Sequence, residues 1–267
     1  MISFLIVVPT LNSHHLLPTL VQSLTEQTFN DWRVLFVDGP SNQAHRQWLQ
    51  DLSQQDSRFQ WEKQIHTDAG IFGAMNQGIT HADANKDWIL FWGSDDLAAS
   101  PKVFEYLASK LDQLRLDNAL PDLYVCTGIY YHRESGPSND ASFTLGRKTS
   151  FRYRRSYRSS LFSGSTPPHQ ATLFGPGAIK KLSMFDAELR LAADLDYFLR
   201  LSRDPKIHIL IDGLELVWLG DSGISGKETR RRLKEVRLAY TRAFAMIWWI
   251  PFLLRYKERI RSLLFPA

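Results

Sequence analysis

The sequence predicts an α/β domain built on a mostly parallel central sheet with flanking helices, followed by a basic and aromatic helical tail. Three observations lead there. Short apolar runs alternate with helix-like stretches through the first half, several of those runs end in acidic or polar residues, and positive charge collects after residue 226.

The elements follow in order. Residues 4–8, 34–38, 59–63 and 88–92 are apolar or β-rich runs, separated by helix-like stretches such as 16–27 and 43–54. Strand and helix in alternation make a parallel sheet, and in such sheets ligands collect at the carboxyl ends of the strands. The first candidate functional positions are therefore 9–12, 38–41 and 94–96. A helix is predicted over 101–114, opened by Ser100 and Pro101, and a strand over 123–131. Residues 134–165 are rich in Ser, Gly and Arg with little periodicity, which predicts a long mobile loop or an irregular excursion, of the kind that forms lids or acceptor-binding elements.

Composition bounds the rest. At 267 residues and 44% hydrophobic, the chain can bury a sizeable core, here assigned to one domain over 1–226 with an appendage over 227–267. The single Cys126 excludes an internal disulfide and a multi-cysteine metal site, and fits a reducing compartment. The first apolar run is short and lacks the basic leader of a secretory signal. The apolar run over 243–254 is interrupted by Pro251 and falls short of the roughly 18 residues that cross a bilayer.

Formal net charge is +4, but residues 227–261 hold eleven Lys/Arg against three Glu, leaving the remainder of the chain acidic. A nucleic-acid binder would spread its cations over a recognition face, so nucleic acid is not the expected partner. Here basic clusters flank Trp248 and Trp249, the pattern of a segment lying in the headgroup region of an anionic leaflet. The same segment would also serve as a helix packed on the core, or as a face against a second copy in a homo-oligomer.

Four stretches carry candidate chemistry. In WILFWGSDDLAAS an apolar strand runs into Ser94, Asp95 and Asp96. Paired carboxylates suit a hard cation, Mn²⁺ or Mg²⁺, that also takes phosphate oxygens, although Asp-Asp after a strand is a common helix cap. In VLFVDGPSNQ, Asp38 closes a strand where an acid can accept from a base or a ribose hydroxyl, or simply form a turn. In DAGIFGAMNQGI a turn with Asp68 and Gly70 opens a short helix carrying Asn76, where glycine permits close approach to a phosphate or sugar; a capped surface helix reads the same way. In LRLAADLDYFLRL, Asp194 and Asp196 lie two apart on a helix, so at most one faces a site. A partly desolvated carboxylate there suits removal of a proton from a hydroxyl, and it equally complements the helix dipole.

Taken together and in this order, these segments resemble the family 2 glycosyltransferases, especially the bacterial subgroup that builds surface and exopolysaccharides. VVPTLN at 7–12 is similar to the opening nucleotide-binding strand and loop. VDGPSNQ, DAGIFGAMNQGI and FWGSDD are similar to the family's Asp-Gly-x-Ser turn, its Ala-Met-Asn segment and its metal-binding DXD element. PPHQATLF at 167–174 resembles its His-Gln strand, LAADLDYFLRL its terminal acid-bearing helix, and GDSGISG at 220–226 a flexible loop that closes over the diphosphate.

The resemblance covers roughly residues 3–225 and implies a GT-A-type fold and a nucleotide-sugar donor, with Mn²⁺ or Mg²⁺ as cofactor. It implies that Pro9, Thr10, Asn12, Asp38 and Asp68 line the nucleoside pocket, with Gly70, Asn76 and Ser94 at the donor and Asp95 near ribose or diphosphate. Asp96 would hold the metal, Asp194 would be the base, and His169 and Gln170 would stand on the acceptor side. His169 is otherwise a hydrogen-bonded interior histidine.

Gln43 and Gly73 depart from the subgroup's usual acids, and the Gln-x-x-Arg-Trp signature of processive synthases is absent after Asp194. The expectation is an inverting enzyme that adds one sugar to a saccharide or lipid-linked acceptor at the cytoplasmic face of the inner membrane. Six Lys/Arg between Arg147 and Arg158, interleaved with Phe151, Tyr153 and Tyr157, would then meet a lipid diphosphate or the membrane surface; a solvated loop fits as well. A sugar nucleotidyltransferase would want a Gly-rich basic loop after the first strand, which VVPTLNSHH lacks. A nucleotide-sugar-binding or membrane scaffold protein without turnover would lack a base or a metal ligand, and candidates for both are present.

Overall fold

The computed structural model describes residues 2–133, 143–220 and 228–257. Strand β1 (Ser3–Thr10) shows how the sheet is built. It is buried almost throughout, and alternate side chains enter opposite layers: Phe4, Ile6 and Val8 join one apolar cluster, Leu5 and Val7 the other. Continuous rather than alternating hydrophobicity is what a central strand covered on both faces requires.

Strands β2 (Trp32–Asp38) and β3 (Phe59–Lys63) extend the sheet in parallel from one side of β1, and β4 (Asp87–Phe91) pairs in parallel on the other. Beyond β4 the direction changes. Strand β8 (Thr172–Phe174) runs antiparallel to both β4 and β6 (Leu123–Arg133). Strand β9 (Ile209–Leu219) pairs in parallel with β6 and antiparallel with the short β5 (Leu97–Ala98), while β7 (Phe143–Thr149) forms an antiparallel pair with β6. The sheet is therefore mixed, and the expectation of a mostly parallel one holds only for its N-terminal half. The short β8, entering between β4 and β6, has no counterpart in simple strand and helix alternation.

One layer packs α1 (Leu17–Thr25) and α4 (Val103–Leu116) on the sheet through Leu17, Leu20, Leu24, Phe104, Leu107 and Leu111. Helix α2 (Gln43–Gln55) adds Leu49 to the same cluster. The opposite layer holds α3 (Gly70–Ile79) and α7 (Ala193–Leu201). Helix α3 sits so close to β1 that a Cβ at Gly78 would lie 2.3 Å from Val7 Cγ1.

One expectation is corrected here. The stretch expected as a mobile loop contains, within its described part, strand β7 and helix α5 (Tyr157–Phe162), with Phe151 and Tyr157 buried. In the described part of the tail, 228–257, the alternative of a helix packed on the core is the arrangement seen. Helix α8 (Thr229–Phe244) buries Val236, Ala239 and Tyr240 in the same cluster as Leu195 and Phe198 of α7, and α9 (Trp249–Arg255) packs against α5. Between α7 and β8 lies a six-residue helix, α6 (Pro176–Lys181). No helix among the described residues is long and apolar enough to cross a membrane.

Candidate active site

A cleft of about 830 Å³ opens at the carboxyl ends of β1 and β4, where the first polar residues follow the buried strands. Pro9 lines it at the end of β1, and Trp92, Gly93, Asp95 and Asp96 line it after β4. Ile71, Phe72 and Met75 of α3 form an apolar wall, and His169, Gln170 and Asp194 stand in the remainder. The acid pair after β4 and the acid of α7, separated by about a hundred residues of sequence, thus share one cavity.

Asp96 is 2% exposed and is held by two backbone donors, Gly93 N at 2.6 Å and Gly220 N at 3.3 Å. Burial and, next, the neighbouring Asp95 charge raise its pKa to about 7. Glycines pack closely against this pair, most tightly Gly220. A Cβ at Gly220 would lie 2.1 Å from Asp95 Oδ2, and one at Gly93 2.9 Å from Asp95 Oδ1. Two adjacent carboxylates disfavouring each other's charge fit a divalent cation, which would relieve the conflict. Among the described residues no group of three or more His, Cys, Asp or Glu could hold a metal, so the remaining ligands would have to come from phosphate oxygens and water.

Asp38 is at the carboxyl end of β2, 1% exposed, and does not line the cleft. Its Oδ1 accepts from Thr10 Oγ1 at 3.2 Å and Ser41 Oγ at 2.5 Å, and its Oδ2 from Arg46 Nε at 3.0 Å. His45 Nε2 lies 3.2 Å from the same Oδ1, with its pKa lowered chiefly by burial. Asn12, at φ 52°, receives Asn42 N on its side chain and donates its own N–H to Ser41 Oγ. Thr10, Asn12 and Asp38 thus tie the loop after β1 to the loop after β2, forming the floor beside the cleft. Ser94 shares a 2.8 Å hydroxyl pair with Ser13 in the same floor.

Asp68 is exposed on the turn before α3, where its carbonyl accepts from Arg190, and Gly70 follows at φ 62°. The Asn76 carboxamide is spent on both backbone groups of Phe185, at 2.7 and 2.9 Å. Asn76 therefore lies outside the cleft lining and anchors the segment that leads to α7. None of Asp68, Gly70 or Asn76 is among the residues that wall the cavity.

On α7 the two acids separate as their spacing demands. Asp194 faces the cleft with 27% of its side chain exposed, while Asp196, 1% exposed, turns away to Arg200 Nε at 2.6 Å. His169 Nδ1 stands 3.9 Å from Asp194 Oδ2. Burial, more than Asp194 opposes it, lowers the His169 pKa, so the imidazole is neutral at pH 7. Gln170 is held through its carbonyl, which accepts from Trp92 Nε1 at 2.9 Å.

Sequence reasoning missed the residues that reach the site from the tail. Glu235 of α8, 8% exposed, accepts from Leu191 N at 2.7 Å and Ala192 N at 3.2 Å. It therefore satisfies the entry to α7 two residues before Asp194, a cap supplied from another helix. Arg255 of α9 lines the cleft itself, as do Arg190 and Arg232. A single Glu among the Lys/Arg of 230–237 was the signal available in the sequence for Glu235. The loop at 221–226, expected to close over the diphosphate, lies outside the described residues.

Comparison with solved structures bears out the fold. The fold matches TarS of S. aureus, with TM-score 0.66 and 17% identity over 98% of this chain and 73% of that one, a mixed α/β fold with a curled central sheet similar to GT-A glycosyltransferases. A mannosyltransferase of Pyrobaculum calidifontis, solved with GDP-Man and Mn²⁺, matches with TM-score 0.59 and 13% identity over 95% of this chain and 69% of that one. The family model for glycosyl transferase family 2 matches residues 5–173, and the chain belongs to that family of glycosyltransferases. Among curated relatives, a PGL/p-HBAD biosynthesis glycosyltransferase of Mycobacterium bovis is 25% identical over 208 residues, 76% of this chain and 71% of its own length. The putative colanic acid biosynthesis glycosyl transferase WcaA of Escherichia coli is 26% identical over 198 residues, 73% of this chain and 64% of its own length.

Proposed function

We propose that the chain is an inverting, metal-dependent glycosyltransferase that moves one sugar from a UDP-linked donor to a hydroxyl of a saccharide or lipid-linked acceptor in surface polysaccharide biosynthesis. The observation that carries this reading is the shared cleft, with Asp95 and Asp96 on one wall and Asp194 on another. The choice of UDP is taken from TarS, whose structures include complexes with UDP and UDP-GlcNAc.

Asp96 would hold Mn²⁺ or Mg²⁺, which when bound would neutralise charge on the departing diphosphate, with Asp95 beside it near the ribose or diphosphate. The floor built by Pro9, Thr10, Asn12 and Asp38 would seat the nucleoside, with Asp38 acting through the loops it ties together. Asp194 takes the proton of the acceptor hydroxyl. The freed oxygen bonds to the anomeric carbon from the face opposite the phosphate, the carbon–oxygen bond to phosphate breaks, and its electron pair leaves with the nucleoside diphosphate. Neutral His169, beside Asp194, would orient the acceptor. The same chemistry needs a dry, walled site, and the apolar face of Ile71, Phe72 and Met75 supplies one side of it.

The tail would bring this cleft to a membrane. Met246, Ile247, Trp249, Leu253 and Leu254 are exposed close together at 90, 48, 51, 46 and 40%, while Trp248 and Phe252 face inward. Such a ridge beside basic α8 suits the headgroup region of an anionic leaflet.

The test is Asp194→Asn with a panel of nucleotide sugars, with and without Mn²⁺. Loss of roughly 10²- to 10⁴-fold in turnover is expected for removal of a general base. Near-normal turnover would remove Asp194 from this role, and full activity without a divalent cation would remove the metal.

A further inference from the structure

Helices α8 and α9 turn one side to the cleft and the other to solvent, and the two sides are mechanically joined. Inward, α8 offers Glu235 to Leu191 N and Ala192 N at the entry to α7, and α9 brings Arg255 to the cleft lining, with Tyr256 next to it. Outward, the apolar ridge from Met246 to Leu254 adjoins a stripe on α8 where Arg230, Lys234, Arg237 and Leu238 are exposed. Those three cations have no acidic partner among the described residues, since Glu228 and Glu235 are set against Arg231.

Stripe and ridge form one surface, because the Arg237 guanidinium lies over the Trp248 ring, 4.7 Å from its centroid. Trp248, Phe252 and Tyr256, spaced by four, make the inward face of α9, with successive ring centroids 5.8 and 5.2 Å apart. A flat surface can therefore cover the outer face of α9 while its inner face stays on the protein.

Little within α9 itself holds it in place. It has seven residues, of which only Pro251 is buried, and a helix that short does not persist in water without packing. It is joined to α8 through Ala245, at φ 47° and ψ −123°, a backbone conformation unfavourable for any residue with a Cβ. Both of its ends rest on the region of α5. Ahead of the joint, the Ala243 carbonyl accepts from Arg158 Nη2 at 2.9 Å, and that guanidinium lies 4.8 Å from the Phe244 ring centroid. At the other end Arg255 packs on Gly164, where a Cβ would lie 2.6 Å from Arg255 Cα. Arg158 Nη1 also donates to Ser202 Oγ, just past α7, at 3.3 Å.

The catalytic helix is thus held at its entry by α8 and at its exit by the same arginine that fixes the joint before α9. Seating of the tail and order of α7 belong to one packing arrangement. A partner that binds the seated tail better than the loosened one shifts the whole arrangement toward the seated form.

We propose that an anionic lipid surface acts on the site as well as anchoring it: bound along the ridge and the α8 stripe, it seats α9 and so fixes the helix that carries Asp194. This deepens the reading of the tail as a membrane-facing element and rests on it. The occupant is a lipid surface because unpaired cations beside an apolar ridge match phosphate headgroups above acyl chains.

The experiment is amide hydrogen exchange of the full chain with vesicles of phosphatidylcholine containing phosphatidylglycerol, against vesicles of phosphatidylcholine alone, with binding followed by co-sedimentation. Anionic vesicles are expected to bind and to slow exchange about fivefold or more both in 248–256 and in 190–196, and neutral vesicles to slow neither. The double variant Trp249→Ser, Leu253→Ser alters only exposed side chains; it should exchange as wild type does without vesicles and gain no protection with them. Glu235→Ala cuts the link to α7, so vesicles should still protect 248–256 and no longer protect 190–196. Vesicles that bind yet leave 190–196 unchanged, or that speed exchange in 248–256, would overturn the inference alone, as would protection of 190–196 that survives Glu235→Ala. Absence of binding to anionic vesicles would instead overturn the membrane reading beneath it.

Discussion

Asp96→Asn tests the electrostatics of the acid pair without any substrate. In the metal-free protein the Asp96 carboxyl titrates at about 7, raised by burial and by Asp95 from an ordinary aspartate value of 3.8. The sign follows from proton uptake. Between those two values the folded protein holds a proton that the unfolded chain releases, so stability falls as pH rises through that window. At about 1.36 kcal/mol per pH unit, the gap corresponds to about 4 kcal/mol by pH 8. Asparagine carries no charge and keeps an acceptor for Gly93 N, but it cannot offer acceptors to both Gly93 and Gly220. The lost hydrogen bond subtracts about 1 kcal/mol, leaving a net gain of about 2–4 kcal/mol for the variant at pH 8 and close to none at pH 4. Urea unfolding of both proteins in EDTA from pH 4 to pH 8 measures this, and taking the difference cancels the histidines. Mn²⁺ should raise wild-type stability and leave the variant nearly unchanged. A stability difference that stays flat across this range, or a variant less stable than wild type at pH 8, would refute the account of a charge held at a cost.

The remaining predictions concern packing and the neighbouring groups. Glu235→Ala strips the acceptor from Leu191 N and Ala192 N and should destabilise by about 2–3 kcal/mol in urea unfolding, with turnover falling because the Asp194 helix loses its anchor. Gly78→Ala gains up to about 1 kcal/mol of helix propensity, yet it drives a methyl into Val7, so a net loss of about 1–3 kcal/mol in melting or urea midpoints is expected. Gly220→Ala should displace the Asp95 carboxylate and weaken Mn²⁺-dependent UDP binding about tenfold or more, read by calorimetry. His169 has a lowered pKa, so the unfolded chain takes up its proton first and stability is lost as pH falls below about 6.5. His169→Asn should therefore show a shallower loss of thermal stability than wild type between pH 7 and pH 5.

Much of the N-terminal half was legible because its signals are local. Helix α2 begins at Gln43 where the sequence places it, behind an Asn42 cap that accepts from His45 N, and β3 matches its predicted bounds. The Ser94 to Asp96 run stands after a buried strand as expected, and Asp194 and Asp196 part to opposite sides as a two-residue spacing on a helix requires. The middle of the chain was misread because its order comes from pairing. Strand β7 is exposed along most of its length, carries Arg147 and Lys148, and is held by β6, so its own residues give no apolar alternation to find.

Apart from the two-residue β5, the sequence by itself determined the strand and helix order to about residue 131, the placing of acids at strand ends, and the resemblance to a glycosyltransferase family, because hydrophobic periodicity and turn residues act over a few positions. Tertiary structure alone decided that Asp38 and Asn76 spend their polar atoms on tying loops together, that Asp95 and Asp96 share a cleft with Asp194, and that the tail supplies Glu235 and Arg255 to it. Those outcomes depend on contacts between residues tens to more than a hundred positions apart. Which carboxylate is satisfied inside the fold and which is left facing a ligand is set only once the chain has closed on itself.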